Sequence, residues 1–242
     1  MSDEQFDAEF FWDPMCPWAW MASRWVKDVV AERGIAVDWR PFALRIVNRD
    51  KNYDTEFPVD YEKNHDRSLR LLRVAIPVRE HAGAAGVERY YDSVGSMIHD
   101  ELILDEFDDP AQGKVAEALL RANLPTDLAT AEYDEALDAA VEIDTLAGLA
   151  RVNGDLGTPL ITFRPPDGPS IFGPVISRIP PTADASKIWD AVDVLASEPG
   201  FSEIKRKRPR RSLFLDGGTS GSSVTQQPVD EPDDACSIST PT

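Results

Sequence analysis

Cysteine is nearly missing from this 242-residue chain: there are two, Cys16 and Cys236. Two thiols cannot staple a disulfide scaffold, and a reducing cytoplasm would hold them as thiols in any case. Histidine is scarce too. His65, His81 and His99 make no pair spaced as metal ligands with a cysteine nearby, so no metal is expected. Glycine forms no phosphate-cradling loop; Gly83-Ala84-Ala85-Gly86 lacks the strand–helix context that such a loop needs. No nicotinamide or flavin signature is visible. No run of ~18 apolar residues occurs, and no apolar segment follows Met1-Ser2-Asp3-Glu4-Gln5. No membrane span or leader is therefore expected, and the cytoplasm is the expected compartment. Positive charge is outweighed, with a formal net charge of −18, which argues against nucleic acid because phosphate binding needs clustered cations. The one basic run, Lys205 to Arg211, is expected to sit in water.

What is present is an ordinary globular composition, 42% apolar, and a clear alternation of patterns. Ala8 to Trp12 reads as a strand. Trp18, Met21, Ala22, Trp25, Val26, Val29 and Val30 recur at helical spacing. After Gly34, Ile35 to Leu44 reads as a second strand, making a right-handed β-α-β unit. Arg45 to Phe57 reads as a loop. Four helical patterns follow. The first carries Tyr61, His65, Leu69, Leu72, Ile76 and Arg79 on one face, and Pro77 is expected to kink or restart it. The others span Glu88 to Leu102, Pro110 to Ala122 and Ala131 to Ala150, the last with Tyr133, Ala136, Leu137, Ala140 and Val141 on its apolar face. Gly157 to Phe163 reads as a strand paired in a hairpin with Ser170 to Phe172 across Gly168-Pro169. Asp184 is the expected N-cap of a last helix that turns Ile188, Trp189, Val192 and Leu195 inward. From residue 213 to 242 large apolar residues nearly vanish, and the expectation is a disordered tail.

One residue stands out chemically. Cys16 falls at the junction of the first strand and first helix, with Pro17 at the first helical position, where a missing N–H is tolerated. Unpaired N–H groups and the positive end of the helix dipole favour a thiolate there, below the ~8.5 of a free cysteine. A thiolate is the nucleophile of disulfide exchange. A single cysteine is more often an inert buried hydrophobe; the helix terminus is what tips the reading to a reactive one.

The run Asp13-Pro14-Met15-Cys16-Pro17-Trp18-Ala19-Trp20, followed by Ser23-Arg24-Trp25, resembles the active-site segment of DsbA-like thioredoxin-fold proteins. It is most similar to the mycothiol-dependent reductases of actinobacteria, also called mycothiol-dependent nitroreductases. Gly157-Thr158-Pro159 and Phe172 to Pro180 are similar to the same family. The resemblance implies an α/β, thioredoxin-like domain over 1–57 and 151–212, with a helical insertion over 58–150. It implies that Pro159 is cis and packs against the sulfur, with Thr158 offering backbone groups to a substrate. It implies that Trp18, Asn48, Tyr61 and His99 surround the thiol, while Trp20 is left as core. Where the family carries a tryptophan after Tyr61, this chain has Leu69. Mycothiol or another small thiol is the implied co-substrate, with a disulfide or a nitroaromatic compound as substrate. A homodimer is left open.

The family motif is Cys-Pro-Trp-Cys, and here its fourth position is Ala19. A methyl group cannot attack a mixed disulfide, so no intramolecular disulfide can form between positions 16 and 19. Either a second small thiol resolves the intermediate, or turnover is lost and the chain only binds. Cys236 is a poor resolving thiol, because Asp233 and Asp234 disfavour its ionisation. Kappa-type glutathione transferases and hydroxychromene-carboxylate isomerases share the implied architecture and use no second cysteine. A serine at position 16 would favour that alternative, and Cys16 speaks against it.

Overall fold

β1 (Ala8–Trp12) is buried at all five positions because it is flanked on both sides. β2 (Val37–Pro41) pairs with it in parallel, in the register Ala8↔Val37 to Trp12↔Pro41. β3 (Leu160–Phe163) pairs with its other edge antiparallel, with Phe11 opposite Leu160. β4 (Ser170–Phe172) completes the hairpin and the sheet order β2-β1-β3-β4. A β-α-β unit, a helical segment and a β-β-α unit around this mixed sheet make a thioredoxin-like fold with a helical insertion. The structure, a computed structural model, describes residues 5–152 and 157–206. Cys236, the 213–242 tail and most of the basic run, for which the sequence raised expectations, lie outside the described residues.

The two faces of β1 follow the strand period. Phe10 packs tilted against Trp39 at 5.0 Å and Trp12 stacks on Tyr91 at 4.1 Å, on the face that meets α1 (Pro17–Arg33) and the long helix α4 (Tyr61–Gly95). Phe11 turns the other way, against Phe42 and Gly148. On that second face Glu9 pairs with Arg40 at 2.7 Å and with Arg151. α1 docks on the final helix, where Trp25 lies 5.7 Å from Trp189 and its Nε1 donates to the carbonyl of Ala185.

Several element boundaries differ from the sequence reading. The long helix runs unbroken through Pro77 and breaks instead at Gly83, whose φ of 64° and ψ of −164° suit glycine alone. Val74, Ala75 and Val78 are fully buried around Pro77 and hold that turn in place. The segment 45–57 is not simply loop. It contains the four-residue helices α2 (Leu44–Val47) and α3 (Tyr53–Glu56), too short for periodicity to register. The second strand stops at Pro41 rather than Leu44. The last insertion helix, α6 (Asp138–Leu149), begins later than expected, because 3₁₀ turns occupy Thr126–Tyr133 and Glu135–Leu137. Asp134 accepts a hydrogen bond from the N–H of Ala136 and closes the second of these turns, leaving Tyr133 and Ala136 exposed. The pattern from Pro110 splits at Gly113 into a 3₁₀ turn and α5 (Lys114–Arg121). Asp184 does not cap α7 (Thr182–Ser197). That helix starts behind Pro181, and Asp184 sits in its first turn, bonded to Lys187.

Candidate active site

Cys16 is the N-cap of α1, in extended conformation, with Pro17 in the first turn. Its own N–H donates to the carbonyl of Asp13 at 3.0 Å, which closes a tight turn between β1 and α1. Its Sγ donates to the carbonyl oxygen of Thr158 at 3.3 Å. The Thr158–Pro159 peptide bond is cis, as the resemblance implied; Pro165–Pro166 and Gly173–Pro174 join Thr158–Pro159 as cis bonds among the described residues. The meeting follows from sheet topology. β3 runs antiparallel to β1, so the residues just before Leu160 lie beside the residues just after Trp12. The sulfur thus sits between the N–H dipoles opening α1 and a carbonyl from the β3 side, and the residue is 4% exposed. The Thr158 hydroxyl is buried and has no hydrogen-bond partner among the described residues, nor has Trp12 Nε1. Such atoms are rare, a few per hundred residues.

Directly beneath the turn lies Asp13, fully buried. Its Oδ1 accepts from the N–H of Met15 at 2.8 Å and from the Ser68 hydroxyl at 2.6 Å; its Oδ2 accepts from the N–H of Leu44 at 2.9 Å. Burial raises its pKa from 3.8 to about 6, against those three hydrogen bonds, which favour the charged form. Tyr91 faces the same place. Burial pushes its phenol well above 10, with the charges of Cys16 and Asp13 adding to the rise and Arg24 and Ser23 opposing it.

On the outer side the helix widens into a π-turn, Ser96–Asp100, of the kind often found at functional sites. It directs His99 Nε2 to the carbonyl of Pro14 at 2.8 Å; because a carbonyl only accepts, this nitrogen carries the proton. His99 also stacks on Trp20 at 5.8 Å, and Trp20 Nε1 donates to Asp100 at 3.1 Å. Trp20 is buried, as a core residue should be, and Arg24 covers its ring at 3.8 Å. The close approach depends on Gly95, where an added Cβ would fall 2.2 Å from the Trp20 ring.

The sequence-nominated residues divide into two groups. Cys16, Pro17, Thr158, Pro159 and His99 converge on the turn 13–17. Trp18 follows in the first turn of α1 with little exposure, and Ala19 behind it is fully buried. Asn48 is turned inward, its Nδ2 donating to the carbonyl of Leu44 at 2.9 Å, and so closes α2. Tyr61 opens α4 within an aromatic group. It stacks on Phe57 at 5.7 Å; Phe57 stacks on Tyr53 at 4.7 Å; and the Tyr53 hydroxyl bonds His65 Nδ1 at 2.8 Å. His65 of this group lies one turn before Ser68, which reaches Asp13. Asp13, Ser68 and Tyr91 escaped the sequence reading. The one available signal was an acidic residue directly after the aromatic run Phe10-Phe11-Trp12.

Among the described residues no group of three or more His, Cys, Asp or Glu side chains converges to hold a metal ion. No described helix is long and apolar enough to cross a membrane. Comparison with known proteins gives a match over residues 15–206 to the family model described as "Mycothiol-dependent nitroreductase Rv2466c". Rv2286c of Mycobacterium tuberculosis, named only as an uncharacterised protein, is 30% identical over 210 residues, covering 86% of this chain and 84% of its own. Among solved structures, a candidate protein disulfide isomerase of Nitrosomonas europaea superposes with a TM-score of 0.49 at 13% identity, over 78% of this chain and 97% of its own.

Proposed function

The chain belongs to the family of mycothiol-dependent nitroreductases, and from that premise we propose that it is a thiol-disulfide oxidoreductase acting through one cysteine, Cys16, with mycothiol as the second thiol. The observation that carries this reading is the position of the sulfur at the N-terminus of α1, where the helix N–H dipoles favour a thiolate, beside the backbone of Thr158. The Cys16 thiolate attacks a disulfide, forming one S–S bond and releasing one thiolate. Mycothiol thiolate then attacks the mixed disulfide, freeing Cys16 and leaving with the other sulfur. Ala19 makes that second, external thiol obligatory.

The surroundings support the reading. Pro17, Trp18, Asn48, Tyr61 and Pro159 are proposed to line the groove between the thioredoxin-like part, 1–57 and 151–212, and the insertion, 58–150. His99 holds the turn. A nitroaromatic compound is the second substrate class proposed: two mycothiols supply the two electrons and two protons that take a nitro group to nitroso and water, and leave as their disulfide. The proposed setting is the reducing cytoplasm.

The test is to incubate the full chain with oxidised mycothiol and read its intact mass. One adduct, located on Cys16 and removed by free mycothiol, is expected. Absence of an adduct, with Cys16 still open to alkylation, would overturn the proposal.

A further inference from the structure

The three hydrogen bonds to Asp13 come from three separate parts of the molecule. Met15 N–H belongs to the turn that carries Cys16, Leu44 N–H to the link after β2, and the Ser68 hydroxyl to the insertion helix α4. The Asp13 carbonyl meanwhile accepts from Cys16 N–H. No solvent reaches the side chain. We propose that Asp13 is a positioning residue for the Cys16 thiol: its ionised carboxylate fixes the turn that bears the sulfur to both halves of the fold. This rests on the reading of Cys16 as the reacting group.

The chemistry is one of donor and acceptor count. All three partners are donors, and an ionised carboxylate can accept from all of them. A protonated Asp13 carries an O–H that faces a donor, so one of the three must turn away. Ser68 can rotate, but the N–H groups of Met15 and Leu44 are backbone and partly buried. Ser68 is therefore the partner that turns to accept the new O–H, while loss of the carboxylate charge weakens the bonds from the N–H groups of Met15 and Leu44 and loosens the 13–17 turn relative to α2 and α4. Burial places this proton exchange near pH 6 rather than far below it, so the exchange falls within reach of working conditions.

Other groups around the carboxyl must be separated from it. Cys16 titrates on its own account. Tyr91, from the second half of α4, has its phenol displaced upward, out of range. Arg24 acts on Tyr91, holding back that rise. His65 lies one turn before Ser68, lowered to about 4 mainly by burial. His99 touches the same turn through Pro14 and is the group to control for.

The experiment follows reaction of the full chain, carrying Cys236→Ser, with the neutral 2-hydroxyethyl disulfide between pH 4.5 and 8. The Cys16 thiolate displaces one mercaptoethanol thiolate, and mixed-disulfide formation is read by mass. Loss of one proton, from the thiol, gives a slope of one in log rate against pH. Loss of a second from Asp13 steepens the slope toward two below about pH 6. In Asp13→Asn the slope is expected to remain one throughout. In Ser68→Ala the break is expected to move to higher pH, because the hydroxyl's bond favours the charged carboxylate; this variant also decides the matter should Asp13→Asn not fold. A slope of one in the parent chain, or a break unmoved in either variant, overturns the proposal, the latter assigning it to His99. No mycothiol is used. Failure here therefore leaves the mycothiol reading standing, and failure of the mycothiol adduct leaves this one standing.

Discussion

The sulfur of Cys16 lies 3.3 Å from the carbonyl oxygen of Thr158, a residue 142 positions away in the chain. The contact joins the first β-α unit to the last hairpin at the point where the sheet has its central strand. In the proposed scheme it brings the reacting thiol to the backbone that an extended substrate would meet.

Because Cys16 is the only reacting thiol in the proposed scheme, Cys16→Ser should bring disulfide reduction to background. Cys236→Ser should leave it unchanged. The check is turnover of a mycothiol-containing disulfide, followed through oxidation of the released thiol. Equal loss in both variants would show that the C-terminal cysteine takes part.

Ala19 is buried one helical turn after Cys16, at a spacing that brings the two Cα atoms within the ~4.4–6.8 Å a disulfide spans. Ala19→Cys is expected to turn the single-thiol site into a dithiol one. Treated with 2-hydroxyethyl disulfide, the parent chain should hold a mixed adduct. The variant should release it and emerge lighter by two hydrogens, as non-reducing mass measurement would show.

Asp13 and His65 act on stability in opposite senses over one pH window. The folded-state pKa of Asp13 is raised to about 6, so its contribution is most favourable below its ordinary value of 3.8 and is lost as pH rises through 6. That of His65 is lowered to about 4, so its contribution is present above 6.5 and is lost as pH falls through 4. Each shift of a little over two units corresponds to about 3 kcal/mol. Relative to the parent, Asp13→Asn should therefore gain stability between pH 4.5 and 7.5, and His65→Gln should lose it. Thermal melting at those two pH values measures both differences.

At Gly95 the helix packs directly on Trp20. Gly95→Ala puts a methyl group 2.2 Å from the indole, so the ring must move or the helix must shift. A destabilisation of about 1–3 kcal/mol is expected. Loss of the Trp20–Asp100 hydrogen bond and of the His99 stack should accompany it, seen as a red shift in tryptophan emission on solvent entry.

Helical and strand periodicity in the sequence was enough to order the elements. The apolar β1, the Cys16-Pro17 helix start and the hairpin around Gly168-Pro169 are local features, set by side-chain alternation and by what proline and glycine allow. The composition also bore on partners, and the Cys-Pro-Trp-Ala run on family. Helix ends and short turns were less legible. Pro77 reads as a break, yet buried neighbours override it, while Gly83, two turns on, carries the positive φ. Asp134 caps a 3₁₀ turn inside what periodicity reads as one helix.

The site itself is mostly a product of tertiary structure. Antiparallel pairing of β1 with β3 is what sets Thr158 beside Cys16, and no local pattern encodes a register between strands so far apart. The same holds for Asp13. Its identity is plain in the sequence, but its burial and its ties to Leu44 and Ser68 exist only once α2 and α4 close over the turn. The chain's residues supply the thiol and the start of the helix that presents it. Packing supplies the low-dielectric surroundings and the distant hydrogen-bond partners, since desolvation and long-range contacts arise only when the parts are assembled.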